Sequence, residues 1–154
     1  RTSRVSCCFC ILSKKSDLLA AAGCEDNHAL YREMVDLEIA STFGFQDSNW
    51  LGDVAPHLLT EEQRECVEGA KVAAKAREEA EARIPKDLEY TKGWPTRLPS
   101  VREAASIAAI RREVCELVGI RNAKCLEPAD VMSRYVALME AKERKTSERK
   151  STND

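Results

Sequence analysis

The amino-terminal part of the sequence contains a cluster of residues that could bind a metal. Cys7, Cys10, Cys24 and His28 together offer four sulfur and nitrogen ligands, the number and kind that hold Zn²⁺ in a tetrahedral site. The cluster also includes Cys8, directly beside Cys7, and adjacent cysteines rarely present both sulfurs to one ion. The favoured interpretation is therefore that these cysteines are small apolar residues of a packed segment, and no metal site is predicted.

The same cysteines are candidates for a lipid modification. Cys7, Cys8 and Cys10 lie between basic residues, and such cysteines can be S-acylated and hold a protein at a membrane surface. No myristoylation signal accompanies them. An S-acylated membrane-surface adaptor is thus one alternative function.

Catalytic chemistry finds little support in the sequence. There are only two histidines, His28 and His57, and neither lies in a recognisable nucleophile signature. The six glycines are scattered singly, so there is no glycine-rich loop that could hold a phosphate group. We predict that the chain is not an enzyme and that it binds no cofactor.

The two tryptophans favour binding to other proteins. Trp50 and Trp94 both lie in segments that contain proline or glycine, and tryptophan in such segments is a frequent anchor of protein interfaces. Prolines order the segment from Trp94 to Pro99 in advance, so that docking it would cost little entropy. The residues predicted to contact a partner are Trp50, Trp94, Pro95, Arg97 and Lys145.

Charge and composition argue against several classes of function. About a third of the residues are charged, both signs are interleaved, and the net charge is only −2, which is typical of a solvated helical surface. An overall basic field, the usual sign of a nucleic-acid binder, is missing. The connection over residues 119–127 is too long for a DNA-binding helix-turn-helix motif. The other alternative function is therefore a nucleic-acid or ribonucleoprotein-binding protein that uses its two basic termini rather than such a motif.

Cellular location is predicted from the composition of residues 1–16. This stretch contains arginines, lysines and serines and no acidic residue, as mitochondrial and plastid targeting segments do. The seven cysteines are unevenly spaced, and two fall inside predicted helices, which favours reduced thiols. No stretch is long and apolar enough to span a membrane, so we expect a soluble organellar, or otherwise cytoplasmic, protein with at most peripheral membrane contact.

Hydrophobic periodicity predicts an all-α protein with about four short amphipathic helices, long connectors that carry Trp and Pro, and extended termini. Capping boxes at Thr60 and Ser100, Pro128 at a first helical position and Gly119 after a last one set several ends. Asn27 is expected to cap the first helix. The predicted helices cover about residues 27–42, 60–83, 100–119 and 128–141.

These elements lead to a division into a basic, Cys-rich segment (residues 1–26), one helical domain (27–141) and a charged tail (142–154). Alanine supplies much of the apolar content, so we expect a thin core. The predicted function is a non-catalytic structural subunit of a larger, multisubunit organellar complex, whose partners are its other protein subunits.

Overall fold

A computed structural model describes residues 7–90 and 94–151 of the chain, with side chains as far as residue 148. Its described part contains five α-helices and no β-strand, which confirms the all-α prediction. The helices are α1 (Lys15–Ala22), α2 (His28–Ser41), α3 (Glu61–Glu81), α4 (Val101–Val118) and α5 (Pro128–Ser151).

Helix α1 is the element that the sequence pattern misses. It has only eight residues, and its apolar residues Leu18 to Ala22 follow one another without a gap. A continuous apolar run carries no helical period, so it could not be told from other buried segments. At the other end of the chain, α5 continues past Ala141, through most of the predicted charged tail.

The chain divides into two compact units, Arg1–Lys75 and Ala76–Asp154, here called the first and the second unit. The boundary lies inside α3 and inside the range 27–141 that the sequence pattern treats as one helical domain. Each unit has its own buried apolar cluster. No helix in the described ranges is long and apolar enough to cross a membrane.

The predicted helix ends are mostly confirmed. The Thr60 hydroxyl accepts the Gln63 N–H (3.1 Å) while the Gln63 side chain accepts the Thr60 N–H (3.2 Å), and Ser100 and Glu103 form the same reciprocal pair. Gly119 ends α4 with φ +73°, a left-handed conformation that suits glycine. Asn27 is an exception, because its side chain makes no cap and donates instead to the Ala21 carbonyl oxygen (2.9 Å).

The core of the first unit forms around Tyr31 and Val35 on α2. Both are fully buried, and they pack with Leu18 of α1 and with Phe9 and Leu51 from irregular segments. The Tyr31 hydroxyl donates to the Leu51 carbonyl oxygen (2.5 Å) and accepts the Ala55 N–H (2.9 Å). Burial raises the pKa of this hydroxyl above its ordinary value, so it remains a donor across the physiological range.

Glu38 is the second polar anchor of the first unit. Its carboxylate is 4% exposed and accepts backbone N–H groups from Phe45 (2.6 Å), Leu51 (2.7 Å) and Gly52 (3.0 Å). Burial raises the pKa of this carboxyl above its usual value, while the three N–H donors act in the opposite direction. One side chain on α2 thus satisfies three backbone groups of the irregular stretch 45–52.

Two predicted helix faces are confirmed only in part. The sequence pattern gives α2 one wide apolar face, formed by Leu30, Met34 and Leu37 with Tyr31, Val35 and Ile39 beside them. Tyr31 and Val35 are buried, together with Glu38, but Leu30 is exposed and Leu37 is 68% exposed. On α3 the sequence pattern predicts an apolar stripe of mostly small residues, Cys66, Val67, Ala70, Ala73, Ala74 and Ala80. Val67, Ala70, Ala74 and Ala80 are buried, whereas Cys66 is exposed.

The core of the second unit lies between α4 and α5. It contains Leu88, Ala104, Ile107, Ala108, Val131 and Tyr135. The Tyr135 hydroxyl donates to the Leu88 carbonyl oxygen, and the ring of Tyr90 lies edge-on against that of Tyr135, with centroids 5.4 Å apart. The sequence pattern places Val101, Ala104, Ile107, Ile110, Val114 and Leu117 on one apolar face of α4. Ala104, Ile107 and Ile110 in its middle are buried, but Val101 (79% exposed) and Leu117 at its ends face solvent.

Candidate functional site

Four of the five predicted partner-contact residues lie together in the second unit. The Lys145 ammonium group of α5 lies 5.4 Å from the centre of the Trp94 ring, a cation–π distance. Pro95 is fully buried, and its carbonyl oxygen accepts a hydrogen bond from the Lys142 ammonium group (3.4 Å). The segment that was expected to dock on a partner is thus docked on the chain's own last helix.

Arg97 fixes the same segment to the start of α4. Its guanidinium group donates two hydrogen bonds to Glu103 (2.9 and 2.6 Å) and one to Asp87 (2.6 Å). These bonds raise the pKa of Arg97, and the Arg97 bonds together with the Ser100 bonds lower the pKa of Glu103 to about 2. The partner-contact role of these residues stays a prediction, and what the structure shows is internal bracing.

Trp50, the fifth predicted contact, lies in the first unit. It is half-buried and packs against that unit's core. Its ring also lines a small cavity of about 380 Å³, together with polar residues that include Lys14, Lys15 and Asn49. Trp50 therefore covers its own core, and its role toward a partner also stays a prediction.

The four candidate metal ligands do not form a site. Within the described ranges, no group of three or more His, Cys, Asp or Glu side chains is placed to hold an ion. The Nε2 atom of His28 lies 3.0 Å from the Ala22 carbonyl oxygen, which it can approach only as a hydrogen-bond donor, and a donating nitrogen has no lone pair for a metal. Cys7 and Cys24 are exposed, and Cys10 is half-exposed.

The second unit contains an apolar groove of about 860 Å³. Its walls come from the end of α3 and the segment that follows, from α4, from the α4–α5 connection, and from one residue of α5. The apolar and sulfur-containing lining residues are Ala82, Ile84, Tyr90, Ile110, Val114, Cys115, Ala123, Cys125 and Leu126. We refer to this feature as the groove.

Two consecutive arginines of α4 form hydrogen bonds with other segments of the groove wall. Arg111 donates to the Tyr90 hydroxyl (2.7 Å) and to the Cys125 carbonyl oxygen (3.4 Å). Arg112 donates to the Leu126 carbonyl oxygen. Cys125 has φ +59°, so the connection turns sharply at this point and presents its side chain to the groove. The walls are thus joined by one side chain–side chain bond and two side chain–backbone bonds between segments that are distant in the sequence.

The charged side chains at the groove are divided by sign between elements. The acidic ones, Glu78, Glu81 and Glu89, come from the end of α3 and the segment after it. The basic ones, Arg111, Lys124 and Arg134, come from α4, the connection and α5. A nearby buried arginine, Arg77, is paired with Glu81 (3.3 Å) and Glu78 (3.7 Å).

None of the groove residues was predicted as a site. The sequence pattern places Val114 on the buried face of α4 and treats the segments around Ile84 and Leu126 as connectors. The hint of a groove in the sequence is the presence of apolar residues in the connectors beside α4. Periodicity within a helix cannot show that such residues come together in space. Their convergence depends on the Arg111 and Arg112 bonds, which join positions 14 residues apart.

Comparison with known proteins places this chain in no family. No protein-family model, no curated protein and no solved structure matches it.

Proposed function

We propose that this protein is a non-catalytic subunit of a larger protein assembly and that it binds a partner through the groove. The observation that carries the proposal is the groove itself, which has apolar walls, a volume of about 860 Å³ and charged residues at its edge. An apolar patch rimmed by polar residues is characteristic of binding sites, because leaving it in water is unfavourable. Large exposed side chains elsewhere, such as Leu37 and Phe43, add further surface for subunit contacts.

The distribution of charge favours a protein over a nucleic acid as the partner. A phosphate backbone requires a continuous basic surface. At the groove the three basic side chains are matched by three acidic ones, so no such surface is present there. We also propose that the protein is located in a mitochondrion or plastid, because residues 1–16 contain no acidic residue, as in segments that target proteins to these organelles.

The test is the native mass of the endogenous protein, measured by size-exclusion chromatography with mass spectrometry of what co-elutes. We expect a large particle with partners in constant stoichiometry. Val114→Asp, which places a carboxylate in the groove wall, should release the partners. Val101→Asp, at an exposed position of the same helix, should retain them. A protein that elutes alone at 17.2 kDa would overturn the proposal.

A second candidate function is supported by a different observation. Cys7 and Cys8 are exposed, and beside them Ile11 and Leu12 are exposed as well. Apolar side chains next to acylated cysteines would add to membrane affinity, which suits an S-acylated membrane-surface adaptor. Hydroxylamine, which cleaves thioesters, would then release the protein from membranes, whereas the triple variant Cys7→Ser/Cys8→Ser/Cys10→Ser would not bind them at all.

A further inference from the structure

We infer that the groove binds an amphipathic helix of the partner protein, with the helix's apolar face against the walls and opposite charges along its two flanks. The juxtaposition behind this is a set of apolar lining residues joined by carboxylates from α3 and the segment after it, and by arginines and a lysine from α4, the α4–α5 connection and α5. The inference rests on the proposed function and names the kind of partner surface that it requires.

The form of the partner follows from the modes by which proteins bind peptides. Strand addition needs a free sheet edge, and the described part of the chain has no strand. Recognition of proline-rich segments needs a groove lined by several aromatic rings, and Tyr90 is the one aromatic residue among those that line this groove. An apolar groove bounded by helices is instead the usual receptor for one face of an amphipathic helix.

The charges make the partner's composition more specific. An anionic small molecule or a polyanion would be attracted by Lys124 and Arg134 but repelled by Glu89, which lines the same groove and is also exposed. A helix can satisfy both signs, because residues on its two flanks carry charges independently of its apolar face. Its acidic flank would face Lys124 and Arg134, and its basic flank would face Glu89, because Glu78 and Glu81 are already paired with Arg77.

Two cysteines in the groove walls provide a built-in reporter. Cys115 and Cys125 line the groove and are partly accessible, whereas Cys66 is exposed in the first unit. A helix seated in the groove would cover the first two thiols and leave Cys66 open. The rate at which iodoacetamide alkylates each cysteine, followed by mass spectrometry of the full-length chain, therefore measures occupancy and location together.

The probe is a stapled helical peptide with leucines at positions i, i+4 and i+7, lysines along one flank and glutamates along the other. A second peptide has the two flanks exchanged, and a third is a scrambled sequence of the same composition. We expect one of the two patterned peptides to slow alkylation of Cys115 and Cys125 at least about tenfold at saturation, with Cys66 unchanged. The preference between the two peptides should weaken with salt.

A charge exchange across the groove provides the decisive variant. In Glu89→Lys/Arg134→Glu the two sides trade one charge each, so the preference between the two patterned peptides should shift toward the one that the wild type disfavours. The matched control is Arg102→Glu/Glu116→Lys, which trades the same charges at exposed positions of α4 outside the groove. The control should bind both peptides as the wild type does.

Several results would overturn the inference. The inference is wrong if neither patterned peptide protects the groove thiols, or if the scrambled peptide protects them equally. It is also wrong if the charge exchange leaves the preference between the two patterned peptides unchanged. Protection by dodecanoate without protection by any helix would assign the groove to a small amphiphile. Self-association that Val114→Asp abolishes would assign it to a second copy of the chain.

The proposed function can be judged separately. If native partners co-elute and Val114→Asp releases them, but no helical peptide binds, the function stands and the helical form of the partner is wrong. If the endogenous protein elutes alone, the function itself fails, whatever the peptides do.

Discussion

At the scale of single residues, both units use the same device to close their cores. A buried tyrosine on a helix, Tyr31 or Tyr135, donates its hydroxyl hydrogen to the carbonyl oxygen of a buried leucine in a short 3₁₀ turn, Leu51 or Leu88. Each tyrosine also contacts a second aromatic ring. A ring with a polar end can fill a core and still satisfy a backbone group of an irregular segment.

Glu38 performs a similar task with charge, and its removal is the first prediction. Glu38→Gln keeps one acceptor oxygen but turns the other into an N–H donor that faces the Gly52 N–H. We expect the free energy of unfolding of the first unit to fall by about 1–3 kcal/mol. Urea unfolding followed by Trp50 fluorescence in a Trp94→Phe background measures this. Glu33→Gln, exposed on the same helix, is the control, and equal stability of the two variants would contradict the role.

The ion pair of Arg97 with Glu103 makes the second unit sensitive to acid. The pKa of Glu103 falls from its ordinary 4.5 to about 2 through hydrogen bonds from Arg97 and Ser100. Because the folded chain binds this proton less tightly than the unfolded chain, the stabilisation is complete above pH 4.5 and is lost as the pH falls toward 2.

We therefore predict that wild type and Glu103→Gln differ in urea midpoint by a constant amount from neutral pH down to about 4.5, and that the difference shrinks toward pH 2. Trp94 fluorescence in a Trp50→Phe background reports on the second unit. Glu116→Gln, at an exposed position of α4, should show no such change. If the difference in urea midpoint stays constant down to pH 2, the Arg97–Glu103 ion pair makes no pH-dependent contribution to stability.

At the scale of elements, helix ends are determined by short-range interactions. The Thr60 and Ser100 capping boxes, Pro128 at the first position of α5 and the left-handed Gly119 all act within one helical turn. These helix ends could therefore be predicted from the sequence. Helix α1, and the failure of the Asn27 side chain to cap α2, could not be predicted, because both depend on residues outside their own helical turn.

Two glycines should respond oppositely to the same substitution. A Cβ added at Gly69 or at Gly119 meets no atom within 4 Å, so space does not distinguish the two positions. Gly69 lies inside α3, where Ala stabilises a helix by about 0.5–1 kcal/mol. Gly119 has φ +73°, where a Cβ costs about 1–2 kcal/mol. Thermal unfolding should show a raised midpoint for Gly69→Ala and a lowered one for Gly119→Ala, and shifts of the same sign would refute the backbone argument.

At the scale of the whole molecule, the chain builds two small cores from little apolar material. The first unit buries residues from α1, α2 and irregular segments, and the second buries residues mainly from α4 and α5. The two clusters share no residue. Large apolar side chains such as Leu37 and Val101 remain exposed outside both cores.

Separate cores predict separate responses to damage. Leu51→Ala and Leu88→Ala each remove a fully buried side chain and should lower the stability of the unit concerned by about 2–5 kcal/mol. In hydrogen exchange, Leu51→Ala should speed exchange in α2 and leave α4 protected, and Leu88→Ala should do the reverse. If either variant loses protection throughout the chain, the two units unfold together.

The all-α class, most helix ends and the two capping boxes could be predicted from the amino-acid sequence. These features follow from periodicity and from contacts within one turn, which any short stretch carries with it. The sequence also predicts Trp50, Trp94 and Arg97 as partner contacts, but it could not show that these residues contact other segments of the same chain.

Which side chains are buried, and where a concave surface forms, depends on packing between distant parts of the chain. Glu38 and Arg77 are buried although charged, while Leu37 and Val101 are exposed although apolar. The groove depends on Arg111 and Arg112 joining α4 to a segment 14 residues away. Burial and concavity are properties of what packs from distant positions, and a linear pattern carries no information about that packing until the chain has folded.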